Sequence, residues 1–403
     1  MSTYYVHKEP VFDKKRCLFG NEFSFRRPAS EGASRWPALS VDEDVAGDVS
    51  SEGGFERLTG SRRAFFTLNV AAMKGDTLAL LPKNSVFQVP EMDVLDKEAL
   101  LTAVMLKRQA YQVAVDYTPS GRGLLPLHKV ADIVRINASP FFLDQVAPAV
   151  ALFKGLPAKL MAGSVEDKES FATCRDLGFE LFQGPFFVTS PGDDAPSISS
   201  SQEVLMRLFN DLKEDKDVAV IEKTFKDNPK LAYGLLQLMN SAFFRASRKV
   251  ASIGQAITLL GYENLQKWVV LLLFTVDRRD AQSHPLIEKA LMRSRLMESL
   301  AKKTEEGALA DSAFITGLLS FMNVFFNIRP DEVTEKLNLV QEIQDALTRR
   351  EGVLAMLLTL AEKADRQDYE GMDGDTEALN LSVEDVLWAE TNALTDCDKL
   401  FEN

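Results

Sequence analysis

Apolar and polar positions change rhythm once along this chain. Up to about residue 190, short runs rich in Val, Ile, Phe and Tyr recur between helical stretches. The runs AFFTLN (64–69), SVFQV (85–89), YQVAVD (111–116), DIVRI (132–136), KLMA (159–162) and FELFQ (179–183) read as strands. Between them, 96–108 and 165–177 carry helical patterns. Repeated β–α alternation predicts a mostly parallel sheet. Six or more such units favour a closed α/β barrel of the TIM type over an open doubly wound sheet.

Residues 27–60 are rich in Ser, Gly, Glu and Asp and read as loop with at most a weak helix. Residues 190–200 (SPGDDAPSISS) have no apolar periodicity and read as a linker. The expected organisation is therefore a barrel over 1–189, a linker over 190–200 and an all-helical domain over 201–403. In the second half Leu205, Leu208, Phe209 and Leu212 recur at helical spacing, as do Leu231, Leu235, Leu236, Leu238 and Met239. Ser252 is placed to cap a helix through 255–260, with Gly261 as its stop.

Composition narrows the function classes. Charged residues make up 26% and the formal charge is −13, which argues against a duplex-DNA surface. No nucleic acid partner is expected. The three cysteines, Cys17, Cys174 and Cys397, form no C-x-x-C pair and point to a reducing, cytoplasmic setting. Cys17 is expected inside a strand and Cys174 on a helix, both as structural thiols. The start has neither a basic nor an apolar segment of the signal-peptide kind. The longest apolar runs, 268–276 and 352–361, are shorter than the roughly 20 residues of a membrane span and read as core helices. Only three histidines occur, His7, His128 and His284, and His284 before Pro285 reads as a surface or capping residue. Phosphate-binding glycine loops and nucleophile elbows are missing from the sequence.

The stretch Glu22-Phe23-Ser24-Phe25-Arg26 resembles the E-x-L-x-R opening of EAL domains, cyclic di-GMP phosphodiesterases with a TIM-like barrel. Ordered support follows: Phe65–Asn69 for the strand ending in a metal-binding Asn, Gln88-Val89-Pro90-Glu91 for E-I-T-E, and Ala114–Tyr117 for A-L-D-D. Asp132–Asn137 then resembles D-x-x-K-I-D, Gly163–Glu166 resembles E-x-V-E, and Gln183-Gly184 resembles the closing Q-G. Most matched positions fall at the ends of predicted strands, where barrel enzymes assemble their sites.

The resemblance implies a site for two divalent cations. Glu22, Asn69, Asp116 and Glu166 keep the family pattern, whereas Gln88, Tyr117, Gly163 and Asn137 stand for carboxylates and Arg135 for the catalytic lysine. Hard cations need anionic oxygens, so no metal, no cofactor and no catalytic residue are expected, and the chain is expected not to be an enzyme. Arg26 can pair with a phosphate, and Glu22, Asn69, Asp116, Glu166 and Gln183 form a candidate cyclic di-GMP site. The same survivors can instead fix barrel geometry through internal salt bridges. Tyr117 is expected to add bulk where the diester would sit.

In the second half, Leu235–Phe244 resembles the L-x-x-x-N-S-A-F/Y string of HDOD domains, and Ser252–Gly261 matches their S-I-x-x-A-I-x-x-L-G run. HDOD domains resemble HD hydrolases without metal ligands; Ser320 and Phe321 stand where an active relative has His-Asp. The resemblance implies a bacterial EAL–HDOD signal-transduction protein. It would act through an unidentified signalling protein and a nucleotide, with self-association open. An active phosphodiesterase with unusual ligands is the alternative.

Overall fold

The computed structural model describes residues 4–27, 38–41, 45–47, 49, 54–59, 62–67, 77–90, 97–119, 125–189, 198–239, 252–276, 285–326 and 329–401. The chain divides into two compact units, Met1–Ser190 and Pro191–Asn403.

The strands of the first unit are β1 (Tyr5–Asp13), β2 (Leu18–Arg26), β3 (Ala38–Leu39), β4 (Arg63–Thr67), β5 (Ser85–Val89), β6 (Gln112–Tyr117), β7 (Ile133–Asn137), β8 (Lys159–Gly163) and β9 (Leu181–Gln183). Neighbours run β1-β9-β8-β7-β6-β5-β4-β2, and β2 pairs back onto β1. That closes an eight-stranded barrel, with the two-residue β3 added beside β2. Pairing is parallel from β2 through β4 round to β9, as the β–α alternation predicts. β1 is antiparallel to both its neighbours and is not among the predicted runs.

Period-two alternation sorts the side chains. Val11, Phe65, Val86, Ala114, Ile133, Met161 and Leu181 point inward and form one buried layer. Phe19 packs beneath it, flanked by the Arg63 guanidinium at 4.6 Å and the Lys159 ammonium at 5.4 Å. Two residues toward the C-terminal ends of the parallel strands, a second inward layer is polar, and it carries the candidate site. Outward-facing Phe23 and Phe25 stack on Phe66, 5.7 and 6.4 Å between ring centroids.

Helices α1 (Lys97–Arg108), α2 (Pro126–Val130), α3 (Leu143–Phe153) and α4 (Lys168–Asp176) follow β5 to β8. Asp167 caps α4, its carboxylate accepting from the Ser170 N–H at 2.8 Å. Gly184, just past β9, has φ +133, and a Cβ there would lie 2.3 Å from the Val165 carbonyl oxygen. Val165 is itself tied to this corner: its N–H donates to the Gln183 carbonyl and its own carbonyl accepts from Phe186.

Two sequence-based expectations need correction. Cys17 is not in a strand but exposed in the turn before β2. Tyr117 does not crowd the barrel mouth: it is buried on the outer side of β6, edge-on to His128 of α2 at 5.6 Å and Phe153 of α3 at 5.0 Å. Asp116 takes the inward position, so its neighbour must face the helices. Cys174 is buried on α4, where loss of solvent pushes its thiol up to about 11.

The second unit is helical throughout its described residues. Helix α5 (Ser200–Lys213) opens on a capping box of Ser199 and Gln202, and so begins inside the predicted linker. It buries Leu205, Leu208, Phe209 and Leu212. Ser252 caps α6 (Ile253–Thr275), accepting from the Gln255 N–H, and Gly261 breaks that helix at φ 73. The packed centre includes α7 (Pro285–Ala301), α8 (Ala310–Leu319) and α9 (Val353–Asp365). Where α7 meets α8, a Cβ on Gly317 would lie 2.7 Å from the Ser294 Cα. By length and composition 307–325 would pass for a membrane span, but 67% of it is buried inside the unit. Asn69, the 240–244 part of the N-S-A-F string and His284 lie outside the described residues.

Candidate functional site

The polar layer above the apolar core gathers residues far apart in sequence. Glu22 of β2, Gln88 of β5, Asp116 of β6, Arg135 of β7 and Gln183 of β9 meet at the C-terminal ends of the parallel strands. Arg135 is the hub. Its Nε and Nη2 donate to the two oxygens of Asp116 at 2.8 and 2.9 Å, a bidentate fork. Its Nη1 donates to Glu22 Oε2 at 2.9 Å and Gln183 Oε1 at 3.1 Å. Gln88 is buried and donates through Nε2 to both Asp116 oxygens, at 3.2 and 3.4 Å. Gln183 donates in turn to Glu22 and, at 3.0 Å, to Glu9.

Burial alone would lower the Arg135 pKa, but the carboxylates of Glu22 and Asp116 outweigh it and hold the guanidinium charged, above its ordinary value.

Other predicted positions lie around this cluster. Arg26 is half-buried on the same face of β2 as Glu22, four residues further along the strand. Glu166 is exposed ahead of α4. Asn137 accepts the Ser139 N–H at 3.0 Å and so shapes the turn after β7. Gly163 is buried against the Arg135 side chain, with its ideal Cβ position 3.2 Å from Arg135 Cγ. Glu9 was not foreseen; it enters the site only through its register opposite Glu22 on the antiparallel β1, which the sequence reading had not placed.

The cation pair implied by the EAL resemblance does not fit these residues. Among the described residues no group of three or more His, Cys, Asp or Glu side chains is disposed to hold a metal ion. A guanidinium sits among the carboxylates, and an amide fills a ligand position.

The helical unit has its own buried ionic centre. Arg293 of α7 donates from Nε and Nη2 to Asp365 Oδ2 at 3.0 and 2.5 Å, and from Nη1 to Ser320 Oγ at 2.8 Å. Its guanidinium lies 4.0 Å over the Phe321 ring, and Lys289 pairs with Asp365 at 2.7 Å. The residues at the two positions expected to lack His-Asp are thus both partners of one arginine. Sequence reasoning missed Arg293; a cation amid the apolar flank ALMRSRLM was the available signal.

A second such centre surrounds Glu298, which accepts from Lys267 at 2.8 Å and Arg295 at 2.9 Å. Burial would raise both carboxyls, but Lys289 and Arg293 hold Asp365 below its ordinary value, and Lys267, Arg295 and Lys302 do the same for Glu298. A carboxyl depressed in the folded state stabilises it above the unfolded pKa of about 4 and loses that contribution as pH falls through the folded value. Melting followed from pH 7 to 3 is expected to show the helical unit weakening across the lower end, and Asp365→Asn is expected to flatten that slope.

Comparison with known proteins adds the following. Residues 195–357 match the HDOD domain family. The Vibrio cholerae protein named cyclic di-GMP phosphodiesterase CdgJ is 25% identical over 398 residues, 96% of this chain and 90% of the relative. Bacillus subtilis YuxH, an uncharacterised protein, is 25% identical over 99% of both chains. Among solved structures, Klebsiella pneumoniae BlrP1 in a manganese and cyclic di-GMP complex is similar with a TM-score of 0.36 and 18% identity, over 45% of this chain and 54% of that one. The EAL domain of Mycobacterium smegmatis DcpA is similar with a TM-score of 0.35 and 19% identity, over 45% and 90%.

The expectation that the chain is not an enzyme is overturned by the CdgJ match, since a relative aligned along nearly the whole chain is named a phosphodiesterase. The loss of individual carboxylates was too narrow a basis for that expectation. A closed eight-stranded barrel in the first unit, followed in sequence by a region that matches the HDOD family over 195–357, fits the order of an EAL–HDOD protein.

Proposed function

We propose that this chain works in cyclic di-GMP signalling, with the barrel mouth recognising the dinucleotide and the helical unit presenting a surface to a downstream protein. The observation that carries the reading is the similarity to CdgJ over 96% of the chain. The polar layer at the strand ends supports it, because barrel ligands are met there. Arg26, on the Glu22 face of β2, supplies a planar cation suited to a phosphodiester.

A second reading, hydrolysis of cyclic di-GMP, is favoured by the name of the same relative. One experiment addresses both. Cyclic di-GMP is titrated calorimetrically into the full chain and into Arg26→Ala, and each sample is then assayed for linear dinucleotide with magnesium or manganese. Binding weakened about tenfold to a hundredfold in the variant is expected for charge-assisted phosphate contacts. No heat in either protein overturns recognition. Linear product at an enzyme-like rate establishes the second reading.

A further inference from the structure

We infer that Arg135 is the resident cation of the barrel mouth, excluding a divalent ion from Glu22 and Asp116, and that Gly163 provides the space it needs. The inference rests on the geometry of the site and not on the ligand proposed above.

The first support is the use of lone pairs. Each oxygen of Asp116 faces an Arg135 N–H and the Gln88 amide. Glu22 Oε2 faces Arg135 and Gln183. A divalent ion held by Asp116 and by Glu22 Oε2 would need those same lone pairs, and a carboxylate oxygen cannot direct them at both occupants. Gln88 strengthens the exclusion. As an amide it donates to Asp116, whereas a glutamate there would set two like charges against each other.

The second support is volume. A Cβ on Gly163 would stand 3.2 Å from Cγ and 3.3 Å from Cδ of Arg135. Any side chain there presses on the stem that carries the guanidinium. The glutamate implied at 163 would therefore require the Arg135 stem to give way by a few tenths of an ångström. Gln88, Arg135 and Gly163 act as one linked set: the arginine supplies the charge, the glycine admits its stem, and the glutamine bonds to its partner. Arginine keeps its proton at any working pH, so alkaline conditions do not release the site.

The test reads metal uptake and melting in the full chain. Wild type is expected to show no Mn²⁺ binding that depends on Glu22, as judged by calorimetry beside Glu22→Gln. The combination Gln88→Glu, Arg135→Lys, Gly163→Glu is expected to gain such binding, at least about tenfold tighter than wild type. Gly163→Ala alone is expected to melt roughly 3–10 °C lower, and to cost little more when added to Arg135→Ala, which lacks the Cγ and Cδ that the methyl meets. Mn²⁺ uptake by wild type that disappears in Glu22→Gln overturns the inference. So does a Gly163→Ala protein that melts with wild type. Neither readout involves cyclic di-GMP, so failure here is distinct from failure of the proposed function.

Discussion

Arg293→Ala is expected to destabilise the helical unit by about 3–5 kcal/mol, the range for removing one partner of a buried ion pair. Arg293 is only 8% exposed, and its neighbours have been arranged around a positive charge. Alanine leaves Asp365 with Lys289 as its remaining close cation and takes away the donor facing Ser320 Oγ. It also empties the volume above the Phe321 ring. The measurement is a urea titration followed by tryptophan fluorescence, to which this unit contributes Trp268 and Trp388. At a typical slope of roughly 2–3 kcal/mol per molar, the midpoint is expected to drop by about 1–2 M. A double change to apolar residues, Arg293→Met with Asp365→Leu, is expected to recover much of the loss, because no unpaired charge is left behind. A midpoint unmoved in the single variant would mean that the ion pair contributes nothing net.

Gly184→Ala is expected to loosen the barrel by about 3 kcal/mol or more, since two costs fall on one residue. The backbone at φ +133 lies where L side chains are strained, and the added methyl meets the Val165 carbonyl oxygen at 2.3 Å and its nitrogen at 2.5 Å. Relief requires moving Val165, whose N–H and carbonyl both hold the corner after β9. Hydrogen exchange is the suitable measurement, because it reads β8 and β9 directly. Their amides are expected to lose roughly hundredfold in protection, the equivalent of that free energy. Gly155 is the control: its φ is +92, but nothing lies within 4 Å of its ideal Cβ, so alanine there adds strain without a collision.

The architecture of the first unit was legible because period-two alternation and β–α spacing are local properties. The run SVFQV became β5 residue for residue, and the ends of the other five predicted strands moved by at most two positions, whereas β1, β2 and β3 were not among the predicted runs. β1 was missed because its pairing is antiparallel and its signal, YVHKEPVFD, mixes charges with apolar residues. The facing of Tyr117 was misread because a motif names neighbouring positions without saying which of them points inward. The hub itself was beyond local reading. Arg135 and Glu22 are separated by 113 residues, and Arg293 and Asp365 by 72. Replacement of a lysine by an arginine gives no hint that the guanidinium will take three side chains as partners. The missing space at Gly163 becomes meaningful only once β7 and β8 lie side by side.

The contact between Gly317 and Ser294 has a mechanical consequence. Helices α7 and α8 approach closely there because Gly317 brings no side chain and Ser294 turns its hydroxyl back onto the Ala290 carbonyl, so any larger residue at 317 would prise the two main chains apart. Shear of the kind by which packed helices slide past one another would have to reopen this tight crossing first.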